Sequence, residues 1–257
     1  MAKYAVEQLR NVVLLGHGSS GKTSLAEAML YDCGGTSRLG RVEDGSTVSD
    51  WDPEEQRRRI SVNTSIVPCE WQGYKLNVLD TPGYMDFVGE VISAVRVADA
   101  AVVVLDSVAG VEVGTETVWN YASERKLPRL IFVNKMDREN ASFEGAIAKA
   151  REAFEGLIVP LQLPIGSESN FKGVVDLVAQ KAYLGASGAE ADLPSGMADA
   201  IAEARTALIE AAAEGDDELI MKYLDGEELT ADEIRRGLRA GILAGRVIPV
   251  LCGSSLH

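Results

Sequence analysis

Gly16-His17-Gly18-Ser19-Ser20-Gly21-Lys22-Thr23 reads G-x-x-x-x-G-K-[ST], and the residues on either side supply the setting that this pattern needs. The apolar run 11–15 (Asn-Val-Val-Leu-Leu) precedes it and reads as a buried strand. Residues 22–31 follow it, with Leu25, Met29 and Leu30 on one helical face. A strand turning through glycines into a helix N-terminus aims several backbone N–H groups at one point. The helix dipole adds about half a positive charge there. Such a turn cradles phosphate. The eight residues of the motif, with Ser24 after them, are therefore the expected phosphate-binding set. Lys22 is expected to reach the β- and γ-phosphates, and the Thr23 hydroxyl to ligate Mg²⁺. At average composition the pattern alone arises in roughly one chain of this length in a hundred, so the strand and helix around it carry much of its weight. The stretch implies binding of a nucleoside phosphate.

The rest of the composition narrows the class. Of 257 residues, 46% are hydrophobic and 25% charged, ordinary for a soluble globular protein. The longest apolar run, 100–105, is too short to span a bilayer. Lys3, Glu7 and Arg10 precede the first apolar run, so no signal peptide is expected. Cys33, Cys69 and Cys252 are scattered without metal spacing, which suits a reducing cytoplasm. The net charge of −14 argues against broad, non-specific gripping of nucleic acid. Residues 158–246 hold 16 acidic and 8 basic residues, so the acid is concentrated there. Such an excess marks a solvated face more often than a docking surface.

Beyond the first helix, 34–59 shows no sustained period and is rich in Gly, Ser, Asp and Arg; a stretch that long is usually functional or mobile. Residues 61–71 and 75–79 read as two strands joined through Gln72-Gly73, a hairpin signal. The second runs into Asp80-Thr81-Pro82-Gly83. D-x-x-G alone is worthless, but here it ends the strand expected beside the phosphate loop. There the Asp80 carboxylate can hold Mg²⁺ through water, and the Gly83 N–H can approach the γ-phosphate. An amphipathic helix is expected at 87–98, a buried parallel strand at 100–106, a helix at 115–126 and a strand at 129–133.

That last strand ends at Asn134-Lys135-Met136-Asp137. N-K-x-D reads guanine: the Asp137 carboxylate accepts from N1–H and the 2-amino group, a donor pair that adenine lacks. A final guanine-contacting motif is expected at Gly253-Ser254-Ser255, after a strand at 247–251. It lies far beyond Asp137, and one helix (144–156) cannot fill the gap. Residues 158–246 therefore read as an inserted subdomain, with the nucleotide-binding domain formed by 1–157 and 247–257. The insert is expected to carry short strands near 161–165, 173–177 and 181–184, a loop at 185–196, and helices at 197–213, 217–224 and 231–244. Thr230 and Glu233 form a capping box at the last of these. The fold class is α/β: a P-loop NTPase fold with a mostly parallel, doubly wound sheet and an inserted α+β subdomain.

With these residues in view, the chain resembles the G domain of bacterial translation elongation factor G, including that family's insert. The resemblance runs from about Val6 to the end. It rests on Asp44-Gly45, Asp50-Trp51, Asp80-Thr81-Pro82-Gly83, Asp86-Phe87, Thr115-Glu116-Thr117-Val118-Trp119 and Asn134-Lys135-Met136-Asp137. In and after the insert it rests on Gly173-Val174-Val175-Asp176-Leu177, Tyr223-Leu224-Asp225-Gly226-Glu227-Glu228-Leu229-Thr230 and Pro249-Val250-Leu251-Cys252-Gly253-Ser254. It implies GTP/GDP and Mg²⁺ as ligands, hydrolysis of GTP on the ribosome, a monomeric protein, and contact of the insert with the ribosomal stalk protein. No membrane and no sequence-specific nucleic acid are implied.

Three departures from the family pattern sit on the catalytic side. D-T-P-G-H ends here in Tyr84, where the family's histidine orients the attacking water. A-H-I-D-A-G-K-T keeps His17 but has Ser19 at the Asp position. R-G-I-T reads Arg58-Arg59-Ile60-Ser61, so a serine stands where threonine ligates Mg²⁺. Ser61 keeps the hydroxyl. Tyr84 changes the chemistry, because a phenol stays neutral and cannot become cationic as imidazole does. The expected catalytic set is Lys22, Gly83 and Tyr84, the metal set Thr23, Ser61 and Asp80, and the protein a divergent paralogue with slow turnover in isolation. The chain stops at His257, directly after the guanine motif, which reads as a fragment of a longer protein. The alternative to a ribosome-activated GTPase is a guanine-nucleotide switch with little or no hydrolysis. An ATP-dependent kinase would leave N-K-x-D idle.

Overall fold

The computed structural model describes residues 4–256, so Lys3 and His257 lie outside the described residues. The chain divides into two compact units, one running to Asp106 and including Val111–Leu127, the other Ser107–Gly110 with Pro128–Ser255.

In the first unit, β1 (Leu9–Leu15) leads through the phosphate-loop sequence into α1 (Lys22–Asp32), as the apolar run and helical face require. The stretch 34–59 is not wholly irregular: α2 (Pro53–Arg58) forms within it. Asp52 accepts from the Glu54 N–H as N-cap, Pro53 fixes the first turn, and Glu55 closes a capping box. β2 (Ser65–Trp71) and β3 (Tyr74–Asp80) form the expected antiparallel hairpin. β2 begins at Ser65, not at residue 61, because Ser61 is turned onto Asp50 instead of a neighbouring strand. α3 (Val88–Val97), β4 (Ala100–Asp106) and α4 (Val113–Glu124) complete the unit. β1 lies between β3 and β4, parallel to both, with Leu14 opposite Asp80. Leu14, Ala26, Leu30, Val67, Cys69 and Val78 pack α1 on this sheet as one buried cluster.

In the second unit, β5 (Arg129–Asn134) is followed by α5 (Phe143–Ala153) and β6 (Leu157–Pro160). β6 is not among the strands that the sequence leads one to expect. Four antiparallel strands follow: β7 (Gln162–Ile165), β8 (Gly173–Asp176), β9 (Lys181–Leu184) and β10 (Ala189–Ala191), in the order β10-β9-β8-β7. β10 falls inside the stretch read as a loop; its Ala-Glu-Ala sequence has little strand character, and only the pairing with β9 makes it one. The three expected helices are α6 (Ala198–Ala213), α7 (Asp217–Leu224) and α8 (Ala231–Leu243). They share a buried core with the small sheet, through Val175, Leu177, Leu208, Leu219, Ile234 and Leu238 among others. β11 (Val247–Cys252) then runs parallel to β5 on one side and β6 on the other. The chain is thus α/β, with a mostly parallel sheet and helices, as the motifs require of a P-loop nucleotide-binding fold. Among the described residues no helix is long and apolar enough to cross a membrane.

Candidate nucleotide site

The first unit gathers the residues expected on the phosphate side. β1 and α1 hold the loop from Gly16 to Thr23 between them. Gly16 takes φ +149°, and a Cβ there would lie 2.5 Å from the Val104 carbonyl oxygen, so a side chain in this turn would be strained and would have to displace backbone. The buried Lys22 ammonium donates to the Gly16 and His17 carbonyls at 3.0 and 2.9 Å, which stretches its side chain along the loop. His17 turns away, with Nε2 3.6 Å from Glu112 Oε1. Ser19 is exposed and Ser24 half-buried. Thr81 donates to the Leu14 carbonyl at 2.5 Å, tying the D-x-x-G turn to β1. Pro82 is buried, and Gly83 lies against Lys22 and Gly18.

Around Thr23 the chain assembles oxygen atoms. Thr23 Oγ1 lies 3.0 Å from Ser61 Oγ, and Ser61 donates to Asp50 Oδ1 at 2.7 Å. Asp80 is 1% exposed, and neither of its carboxylate oxygens closes a hydrogen bond. Burial pushes its carboxyl up to about 6. The hydroxyls of Thr23 and Ser49 and the Lys22 ammonium pull the other way, and Asp50 adds to the rise. Burial raises the Asp50 carboxyl as well, opposed by the Ser61 hydrogen bond. A buried carboxylate with two unused oxygens beside a pair of hydroxyls fits a hard cation that keeps several waters, as Mg²⁺ does.

Asp50 and Glu55 stand outside the site residues expected from sequence. Glu55 is 0% exposed; its Oε1 accepts from the Val62 and Asn63 N–H groups at 2.9 Å each, and its Oε2 from Asp52 N–H at 3.1 Å. One carboxylate thereby fixes the backbone just after Ser61. The signal for Glu55 is present in Asp52-Pro53-Glu54-Glu55, a helix-start pattern. Asp50 enters the sequence reading only as part of Asp50-Trp51 in the resemblance, with no role attached.

The second unit gathers the residues expected on the base side. Asn134, at the end of β5, is 0% exposed. Its Oδ1 accepts from the Ser255 and Lys135 N–H groups at 3.0 and 2.9 Å, and its Nδ2 donates to Ser255 Oγ at 3.2 Å. Met136 N–H donates to the Gly253 carbonyl at 3.1 Å. Ser107 braces the loop from below, donating through Oγ to the Lys135 carbonyl at 2.8 Å. Lys135 takes φ +63°, a strained conformation for a side chain of its length that these bonds hold in place. Asp137 and Ser254 are half-buried. The structure therefore brings Asn134–Asp137 and Gly253–Ser255 together across 121 residues.

Comparison with known proteins follows the same lines. The model of the elongation factor Tu GTP-binding domain family matches residues 7–257. Among solved structures, a crystal structure of a protein from Thermus thermophilus superposes with a TM-score of 0.91 at 37% sequence identity. The match covers 97% of this chain and 38% of that one. Motifs, fold and family model agree: the chain belongs to the elongation factor Tu GTP-binding domain family, the guanine-nucleotide-binding domains of translational GTPases.

Proposed function

We propose that this chain is the GTP-binding and GTP-hydrolysing domain of an elongation factor G-like translational GTPase that acts on the ribosome, in the cytoplasm and as a monomer. The observation that carries the guanine reading is the Asn134–Ser255 pair, which braces N-K-x-D against Gly253-Ser254-Ser255. Asp137 then accepts from the base, and Gly16 to Ser24 with Asp80 to Tyr84 take the phosphates. The elongation factor G assignment is supported by the lobe of small sheet and three helices lying between the two base motifs, the part of the expected insert 158–246 that follows β6.

Thr23, Ser61 and Asp80 would hold Mg²⁺, directly or through water, and the ion would neutralise charge on the β- and γ-phosphates. Lys22 is already extended along the loop and supplies a second positive charge. The Gly83 N–H would approach the γ-phosphate. Tyr84 orients a water as a neutral hydrogen-bond partner. Phosphoryl transfer is mostly positioning and electrostatics, so most of the machinery persists without histidine, while the water-positioning contribution, typically 10²–10⁴-fold, is weakened. Slow intrinsic turnover follows. A guanine-nucleotide switch with little hydrolysis is the second reading, and Tyr84 is the observation that favours it.

The insert is a proposed surface for the stalk protein, through its acidic helices. Part of that acid has internal work: Asp216 caps α7 and pairs with Arg236, and Glu233 pairs with Lys222. Glu214, Asp217, Glu227 and Glu228 have no ion pair among those described and supply the docking charge.

Single-turnover GTP hydrolysis, with and without ribosomes, tests the proposal. Ribosomes should accelerate the wild type, Tyr84→Phe should be slower, and Tyr84→His equal or faster. A Phe variant as fast as wild type would remove Tyr84 from the reaction. No stimulation by ribosomes would favour the switch.

A further inference from the structure

Tyr84 is seated on Gly18. An ideal Cβ built on Gly18 would lie 3.1 Å from Tyr84 Cζ and 3.2 Å from both Cε atoms. These three atoms are the hydroxyl-bearing end of the ring, so the phenol end, not the stem, overlies the phosphate loop. The preceding residue docks on the same spot through its backbone. A Cβ on Gly83 would lie 2.7 Å from Gly18 Cα, 2.8 Å from Gly18 N and 2.5 Å from Lys22 Nζ. The Gly83-Tyr84 dipeptide thus reaches the phosphate loop through two missing side chains, its own and that of Gly18. Gly18 is buried, whereas Tyr84 is 41% exposed.

We infer that Gly18 is the positioning residue for Tyr84, its missing side chain setting where the phenol hydroxyl stands relative to Lys22 and the phosphate cradle. This rests on the proposed part of Tyr84 in hydrolysis. A methyl group at position 18 would press on the ring more closely than most Cβ contacts allow. The ring has open solvent on its other side and would yield by moving outward, taking the hydroxyl with it. Misplacement by an ångström is enough to cost about 10²-fold in rate where positioning is the chemistry. Gly18 and Tyr84 therefore act as one unit.

Two measurements on this chain test the inference. The first is single-turnover GTP hydrolysis, ribosomes present, by the wild type, Gly18→Ala, Tyr84→Ala and the double variant. Gly18→Ala should lower the rate by about 10- to 10²-fold when Tyr84 is present, and by less than about twofold when Tyr84 is already alanine. In the Gly18→Ala background, Tyr84→His should restore much of the loss, because the smaller ring clears the methyl. An equal loss in both backgrounds would show that Gly18 acts on the phosphates by itself and would overturn the inference. The second measurement needs no hydrolysis. The Gly18 Cα protons should show an upfield ring-current shift by NMR that disappears in Tyr84→Ala. Unshifted protons in the wild type would overturn the seating. Shifted protons in a wild type that hydrolyses no GTP would refute the hydrolytic role of Tyr84 while upholding the seat.

Discussion

Ser61 donates a 2.7 Å hydrogen bond to the buried carboxylate of Asp50. A hydroxyl has one proton to give, so the oxygen of Ser61, 3.0 Å from Thr23 Oγ1, accepts from Thr23. The direction of the chain Thr23 to Ser61 to Asp50 is thereby set. Ser61→Ala leaves a buried carboxylate without this partner and should cost about 1–3 kcal/mol of stability, read from the urea midpoint. Ser61→Thr should restore it. An unshifted midpoint in the alanine variant would show that water replaces Ser61 without loss.

Asp137→Asn inverts the donor and acceptor pattern facing N1 and the 2-position of the base. GTP affinity should fall on the order of 10³-fold or more, and xanthosine triphosphate should become the better ligand. Competition titration with both nucleotides measures the exchange. Undiminished GTP affinity would mean that Asp137 does not read the base.

At position 16 the obstacle is backbone. Gly16→Ala sets a Cβ 2.5 Å from the Val104 carbonyl oxygen at φ +149°. The strain should lower stability by about 1–3 kcal/mol and spoil the turn that delivers Lys22. Thermal melting and GDP titration should both deteriorate. A variant that melts and binds like wild type would show that the loop has another low-energy path.

Acid stability should depend on Glu233. Its carboxyl is held down to about 2, first by the Lys222 ammonium and then by the backbone and hydroxyl of Thr230. A depressed carboxyl stabilises the fold above its ordinary value of 4.5, and that contribution is lost as pH falls from there toward 2. Glu233→Gln should flatten the acid limb of a stability-versus-pH curve over this window and change little at pH 2. A curve that keeps its slope in the variant would place the acid sensitivity elsewhere.

The parts of this molecule that sequence makes legible are those in which neighbours along the chain do the physics. Strand, glycine turn and helix are contiguous around Lys22, and Thr230 and Glu233 are three apart on one helix end, so pattern alone locates them. α2 escapes such a reading although Asp52, Pro53 and Glu55 announce it, because the glycines and serines before it mask a six-residue helix. β10 escapes it for the opposite reason: Ala189–Ala191 has no local preference to read. The contacts that define the site are out of reach altogether. Nothing in the spacing says that Ser61 faces Asp50, or that the Tyr84 ring comes to rest on Gly18. Those facts depend on how strands already formed deliver their ends.

The Asn134–Ser255 pair also sets a clock. Its halves are separated by 121 residues, which a ribosome adds in roughly 6–24 s at about 5–20 residues per second. Until Ser255 has emerged, the Asn134 amide cannot close this pair, and N-K-x-D lacks its bracing from Gly253. The phosphate loop and D-x-x-G, complete by Gly83, can fold well before that. On the proposed reading, a nascent chain therefore passes through an interval in which the phosphate loop is formed while N-K-x-D is still unbraced. Of the two motif groups, the one proposed to read the base is braced later in synthesis than the one proposed to hold phosphate.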